Sequence, residues 1–202
     1  MPTLTPELYL GLCAFAFASS ITPGPNNAML LASGANFGVR RTAPHMMGVW
    51  LGFTLLILGS GLLLGGLFTA YPALHQALKI AGAIYLAWLA WKIATSAKGG
   101  SAAGPDRPMT LAQAALFQLV NVKGWAMALS AAAGYAPPEH YVANMLAVTA
   151  VFAVINLPCI LVWTAFGASL RGWLAKPGRL QRFNWLMAAL LAASIPPMFL
   201  ES

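Results

Sequence analysis

The residues of this chain best placed to do chemistry are Thr22, Pro23, Gly24, Pro25, Asn26 and Asn27, which follow one another inside an apolar segment. No residue from Leu8 to Leu31 is charged, and a membrane core takes about 20 such residues as helix. Two prolines and a glycine cannot continue an ordinary helix, because each proline lacks an N–H and its ring clashes with the turn before it. Backbone groups freed within lipid are tolerated only where protein buries them or water reaches them. The break therefore predicts a binding site or a permeation path at mid-membrane. A half-helix starting near Pro25 and Asn26 presents unpaired N–H groups and the positive end of its dipole, which suits a carboxylate.

Lys123 is the second chemical candidate. It falls near the middle of the fourth apolar span, where a lysine costs about 2.5–3.5 kcal/mol to insert. Glu7, Asp106, Glu139 and Glu201, the only acidic residues, all sit at span ends or in connections. An internal ion pair at mid-span is thus excluded. Its partners are then backbone carbonyls, water or a bound anion, or the amine is neutral; a lysine snorkelling along a tilted segment is the plainer alternative. Asn121 opens the polar interruption Asn121-Val122-Lys123-Gly124, and Asn156 precedes Pro158 in the fifth span. His45 is expected at the cytoplasmic mouth of span two, with His75 and His140 at outer span ends, where histidines are usually plain surface residues.

Positioning these groups requires membrane helices. The chain is 59% hydrophobic and 7% charged, with mean hydropathy +0.73, whereas a soluble domain carries about a quarter charged residues. Six spans are predicted, at residues 8–31, 46–68, 74–94, 111–134, 142–170 and 183–200. The first is read as staying in the mature protein, since no basic residue precedes it and its apolar stretch is too long for a signal peptide. The net charge of +7 sits in short connections rather than in a stripe, which argues for membrane orientation and against nucleic acid. Arg40 and Arg41, then Lys92, Lys98 and Arg107, then Arg171, Lys176, Arg179 and Arg182 mark alternate connections. The other connections have none, apart from Lys79 just inside span three. Keeping basic loops in the cytoplasm leaves both termini outside.

Cys13 and Cys159 both fall within spans and read as small buried hydrophobes, with no zinc or redox spacing. No metal site and no cofactor is expected. Gly48 with Gly52, Gly61 with Gly65, and Gly82 with Ala83 offer small surfaces for close helix packing. Trp88, Trp91, Trp163 and Trp173 suit an interfacial aromatic belt.

A flexible linker at about 96–109 separates a first repeat, about 1–95, from a second, about 110–202, within one transmembrane domain spanning 1–202. Thr110 and Gln113 have capping-box spacing and would start span four. Asn27-Ala28-Met29-Leu30-Leu31-Ala32 echoes Trp125-Ala126-Met127-Ala128-Leu129-Ser130, each after a polar interruption. Three spans per half force the halves to insert with opposite orientation. The expected fold is an all-α integral membrane protein, six transmembrane helices in two inverted three-helix repeats, with spans one and four interrupted at mid-membrane.

Along its whole length the chain resembles the LysE/RhtB amino-acid exporters of bacterial inner membranes. The resemblance rests on Thr22-Pro23-Gly24-Pro25-Asn26, on Gly38, Arg40, Gly48 and Gly52, on Gly82-Ala83-Ile84-Tyr85-Leu86, and on Asn121-Val122-Lys123. The family more often has proline where Val122 stands, which weakens the expectation of a proline-broken span four. Asn-Val-Lys, with Trp88-Leu89-Ala90-Trp91-Lys92-Ile93-Ala94-Thr95-Ser96, is similar to the cysteine/O-acetylserine exporter branch. The resemblance implies efflux of amino acids or close derivatives in exchange for protons. On the residues, small neutral substrates are expected, such as threonine, homoserine, cysteine or O-acetylserine. They would be bound by Thr22, Pro23, Gly24, Pro25, Asn26, Asn27, Asn121 and Lys123, with unwound carbonyls and asparagines accepting from the α-ammonium.

Alternatives from other classes are a basic amino-acid exporter of the same family, a passive channel, and an intramembrane enzyme using Ser20 or Ser33 with a histidine. No paired carboxylates or nucleophile motif accompanies those serines, so the chain is not read as an enzyme. The expected partners are an amino-acid substrate, protons and the lipid bilayer, with room for a homo-oligomer and no nucleic acid.

Overall fold

The computed structural model describes residues 4–64, 72–95, 107–176, 178–193 and 195. The ends of spans two and six, Gly65, Lys98 and most of the linker expected at 96–109 lie outside the described residues, as do the side chains of His75, Lys79, Gly82 and Tyr85. All regular structure among the described residues is helical.

Helix α1 (Pro6–Ile21) starts at Thr5, whose hydroxyl accepts from the Leu8 N–H at 3.3 Å. Helix α2 (Pro25–Phe37) follows, bent by 54° from α1. Gly38, at φ +81°, turns the chain into α3 (Val39–Gly59). That helix ends in a wide π turn (Ser60–Leu64). Helix α4 (Pro72–Thr95) closes the first half.

The expected capping box is present: the Gln113 N–H donates to the Thr110 hydroxyl at 3.2 Å, and the Thr110 N–H to the Gln113 side chain at 3.0 Å. It opens α5 (Leu111–Phe117), which tightens into a 3₁₀ turn (Gln118–Val120). Then come α6 (Val122–Tyr135), α7 (Tyr141–Ser169), the short α8 (Arg171–Leu174) and α9 (Arg179–Ala193).

By length and composition, 39–62 and 141–174 can each cross a membrane, and α1 with α2 forms a third candidate if the bent pair is one span. Several polar residues are buried within the apolar core, and many large apolar residues face outward. Asn27, Gln118, Asn121, Asn144, Thr164 and Asn184 are buried, whereas Leu10, Ile84, Leu116 and Val154 are exposed. Leu10 and Val154, at 71% and 73% exposure, would be costly in water and are at home in lipid.

Helices α1 and α2 lie against α7, the α5–α6 pair lies against α3, and α4 pairs with α9. Small residues set the two closest crossings. A Cβ at Gly34 would overlap the Thr164 carbonyl oxygen and sit 3.0 Å from its carbon; a Cβ at Gly167 would meet the Leu31 carbonyl in the same way. Gly48 and Gly52 press on the α5 backbone at Leu111 and Ala115, as the small-residue spacing predicted. These contacts bring the chain breaks of spans one and four together.

Basic residues share one end of the bundle. Gly38 lies against the Arg171 guanidinium, and Gln181 donates to the Ala94 carbonyl at 2.7 Å. Those two contacts join the neighbourhoods of Arg40 and Arg41, of Lys92, and of Arg182. Trp88, Trp91 and Trp173 are exposed. Trp163 is not a belt residue: its indole points inward and donates to the Ile21 carbonyl at 3.1 Å. His45 is likewise not at an open mouth. It is fully buried, with no hydrogen-bond partner on either ring nitrogen among the described residues.

Candidate functional site

The break between α1 and α2 divides into a satisfied half and an open half. Pro23 and Pro25 cannot donate to Ser19 O and Ile21 O, the carbonyls four residues back. Side chains take those acceptors instead: the Thr22 hydroxyl donates to Ser19 O at 3.0 Å and the Trp163 indole to Ile21 O. The Asn27 amide donates to Ser20 O and Thr22 O, both at 2.8 Å. Lys123 Nζ donates to Thr22 O at 2.9 Å, to the Thr22 hydroxyl at 2.9 Å and to Pro23 O at 3.4 Å. Of the partners left open to Lys123 from sequence it meets backbone carbonyls, and the Thr22 hydroxyl is a partner that reading did not include.

The donor half is different. Helix α2 begins at Gly24, which offers no side-chain cap. Pro25 has no N–H, so Asn26 and Asn27 present the free first-turn donors. The second break repeats the arrangement without a proline. Asn121 is extended, at φ −83° and ψ 92°, and caps α6 with no side-chain bond. Val122 is the first helical residue, a position where proline is tolerated but not required. The interruption expected at Asn121 is present, and it is made without a proline. The Trp125 indole donates to Leu119 O at 2.9 Å, as Trp163 serves the first break.

A reciprocal amide pair ties the breaks together. Asn26 Nδ2 donates to Gln118 Oε1 at 2.9 Å, and Gln118 Nε2 returns a bond to Asn26 Oδ1 at 3.1 Å. Asn121 Nδ2 also donates to Gln118 Oε1, at 3.1 Å. Between the breaks lies a cavity lined by Ser20, Gly24, Asn26, Asn27, Asn121, Lys123 and Asn156. Its volume is about 30 Å³, room for one or two waters. Ser20 Oγ and Asn121 Oδ1 are buried without a partner among the described residues, and both residues line this space. Two uncapped helix starts, two orphaned oxygens and one lysine therefore converge on a single small chamber whose other walls, Val49, Phe53, Met127 and Ile160, are apolar.

The family model for the LysE-type translocator matches residues 17–195, which include both breaks. The chain belongs to the LysE-type translocator family. Among the translocators it resembles are the cysteine/O-acetylserine efflux proteins of Salmonella typhimurium and Salmonella choleraesuis. Each is 29% identical over 189 residues, covering 93% of this chain and 95% of the relative. The protein of that description from Escherichia coli strain HS is 29% identical over 191 residues. No solved structure matches.

In this LysE-type chain all eight residues singled out from sequence cluster at the two breaks. Thr22 and Pro23 are exposed, Pro25, Asn27 and Asn121 are buried, and Gly24, Asn26 and Lys123 lie between. Gln118 and Trp163 went unrecognised as site residues, Ser20 was weighed only as part of an alternative enzyme, and Asn156 was left open. A glutamine three residues before the second interruption was a readable signal for Gln118. Nothing local marks Trp163, because its partner lies 142 residues away.

Proposed function

We propose that this LysE-type translocator exports small neutral amino acids or their derivatives across the bacterial inner membrane, binding the substrate α-carboxylate at the start of α2. One observation carries the reading: the carbonyls at the end of α1 are taken by side chains, while the first-turn donors of α2 are uncapped beside a polar cavity. A helix start of this kind holds anions through its N–H groups and its dipole. The names of the relatives point to cysteine and O-acetylserine; threonine and homoserine share their charge. Exchange for protons is the coupling we propose.

Two inverted three-helix repeats are the proposed architecture, within one transmembrane domain over 1–202. The reciprocal packing supports it: the α1–α2 pair rests on α7 while the α5–α6 pair rests on α3, and α4 meets α9. Both termini are proposed to lie outside. The clustering of basic connections at one end agrees with a cytoplasmic face there. A cysteine placed at Lys176 is expected to resist membrane-impermeant maleimide in intact spheroplasts and to react after permeabilisation; labelling in intact cells would reverse the orientation.

Side-chain charge selects the substrate class. A lysine or arginine substrate brings a second positive charge, and no Asp or Glu lines the cavity. Desolvating that charge is costly without a carboxylate, and Lys123 adds repulsion. Efflux from loaded proteoliposomes is expected to be at least about tenfold faster for cysteine, O-acetylserine, threonine or homoserine than for lysine, a gap of about 1.4 kcal/mol. A preference for lysine would overturn the assignment. Trans-stimulated counterflow in the same vesicles separates a carrier from a channel.

A further inference from the structure

We propose that Thr22 O, the Thr22 hydroxyl and Pro23 O form a binding site for a primary ammonium, and that Lys123 fills it as a tethered stand-in for the substrate's amino group while the carrier is empty. The proposal rests on reading the cavity as an amino-acid site. An ammonium has three donors and no acceptor. Lys123 Nζ finds three oxygens, at 2.9, 2.9 and 3.4 Å. They lie at the carbonyl end of α1, the negative end of its dipole. Neutral oxygens thus do here what a carboxylate does in a soluble protein.

The same side chain lies across the proposed carboxylate site. A Cβ at Gly24 would come within 2.8 Å of Lys123 Cδ and 3.1 Å of Nζ. Glycine at the start of α2 is what lets the lysine stem pass. The ammonium acceptors at Thr22 and Pro23 and the anion donors at Asn26 and Asn27 belong to one short stretch of backbone. An α-amino acid carries its ammonium and carboxylate on adjacent carbons, so it spans both sets. With Lys123 seated, the remaining 30 Å³ admits water only. Thr22 and Pro23 are exposed, and it is from that side that an incoming ammonium would replace the lysine.

The exchange has a consequence for the transport cycle. When substrate is bound, its own ammonium fills the cradle. When the carrier returns empty, Lys123 fills it, while Thr22 O also keeps its bond from the Asn27 amide. Lysine also comes from the second break, so seating it links the two halves. Removing the lysine should penalise the empty carrier most, by taking the ammonium's bonds from the Thr22 hydroxyl and Pro23 O. Net efflux should therefore suffer more than exchange, in which the carrier always returns loaded.

The test compares exchange with net efflux in proteoliposomes of the full chain, using labelled L-cysteine under reductant. Lys123→Met is expected to lose at least about tenfold more in net efflux than in exchange. Millimolar methylammonium should restore part of the net efflux. Methylammonium should also raise the melting temperature of Lys123→Met but not that of the unsubstituted protein, whose cradle is filled. Thr22→Val, which removes one oxygen, is expected to raise the KM for exchange about tenfold with little change in maximal rate. Net efflux by Lys123→Met at the unsubstituted rate would overturn the proposal. So would equal loss of exchange and net efflux in a folded variant, or an unchanged KM in Thr22→Val. If the unsubstituted protein shows no amino-acid counterflow, the transporter reading falls on its own; the methylammonium melting shift still decides whether the cradle binds ammonium.

Discussion

Replacing Pro23 and Pro25 together with alanine is expected to abolish amino-acid efflux while the protein still inserts in the membrane. Each proline in a helix interior costs about 3 kcal/mol relative to alanine, so the double replacement removes the main obstacle to continuous helix. The restored N–H groups at 23 and 25 would bond Ser19 O and Ile21 O. Those carbonyls would no longer need the Thr22 hydroxyl and the Trp163 indole that serve them now. Continuing the helix through Gly24 would also pair the first-turn donors of α2, at Asn26 and Asn27, with the Thr22 and Pro23 carbonyls. The carboxylate site and the acceptors of Lys123 would be lost in one step. Transport is expected to fall below detection, about a hundredfold or more, for a loss of roughly 3 kcal/mol in binding. Counterflow in proteoliposomes, with membrane fractionation as the control for insertion, measures it. Normal substrate binding by a well-folded double variant would remove the break from the mechanism.

The largest loss of stability is expected from Gly34→Ala. At most helix positions alanine is more favourable than glycine by about 1 kcal/mol. Here the added methyl meets backbone rather than a movable side chain: the Thr164 carbonyl, and the Ala168 nitrogen at 3.1 Å. Overpacking usually costs about 1–3 kcal/mol, and a rigid neighbour places this site at the upper end. Relief would require α2 and α7 to separate, which also pulls Trp163 from Ile21 O and opens the break. Thermal unfolding in detergent should show a lower midpoint, and transport should fall with it. Gly134→Ala in α6, with nothing within 4 Å of the added Cβ, is the matched control and is expected to be neutral or slightly stabilising. Equal midpoints for the two variants would mean that the α2–α7 crossing yields more readily than its geometry indicates.

What the sequence by itself determined here is local. The interruption at 22–27 follows from two missing N–H groups, and the helix start at Thr110 from a capping box within four residues. The apolar segments followed from composition, and Lys123 stood out because charge in such a segment is costly. Each depends on covalent structure or near neighbours, so no knowledge of packing was required. The interruption expected at Asn121 needed no proline: an extended backbone at one asparagine was enough.

Only the tertiary structure decided which groups complete the site. Gln118 pairs with Asn26 across 92 residues and Lys123 reaches Thr22 across 101. Trp163 looked like an interfacial tryptophan until α7 carried it to the broken end of α1. These partnerships depend on where α1 and α2 cross α7 and where α5 and α6 cross α3. Those crossings are set by glycines such as Gly34 and Gly167, whose role is to have no side chain. A residue that acts by leaving space does not announce its neighbour in sequence; the close approach of two backbones does, and it exists only in the folded chain.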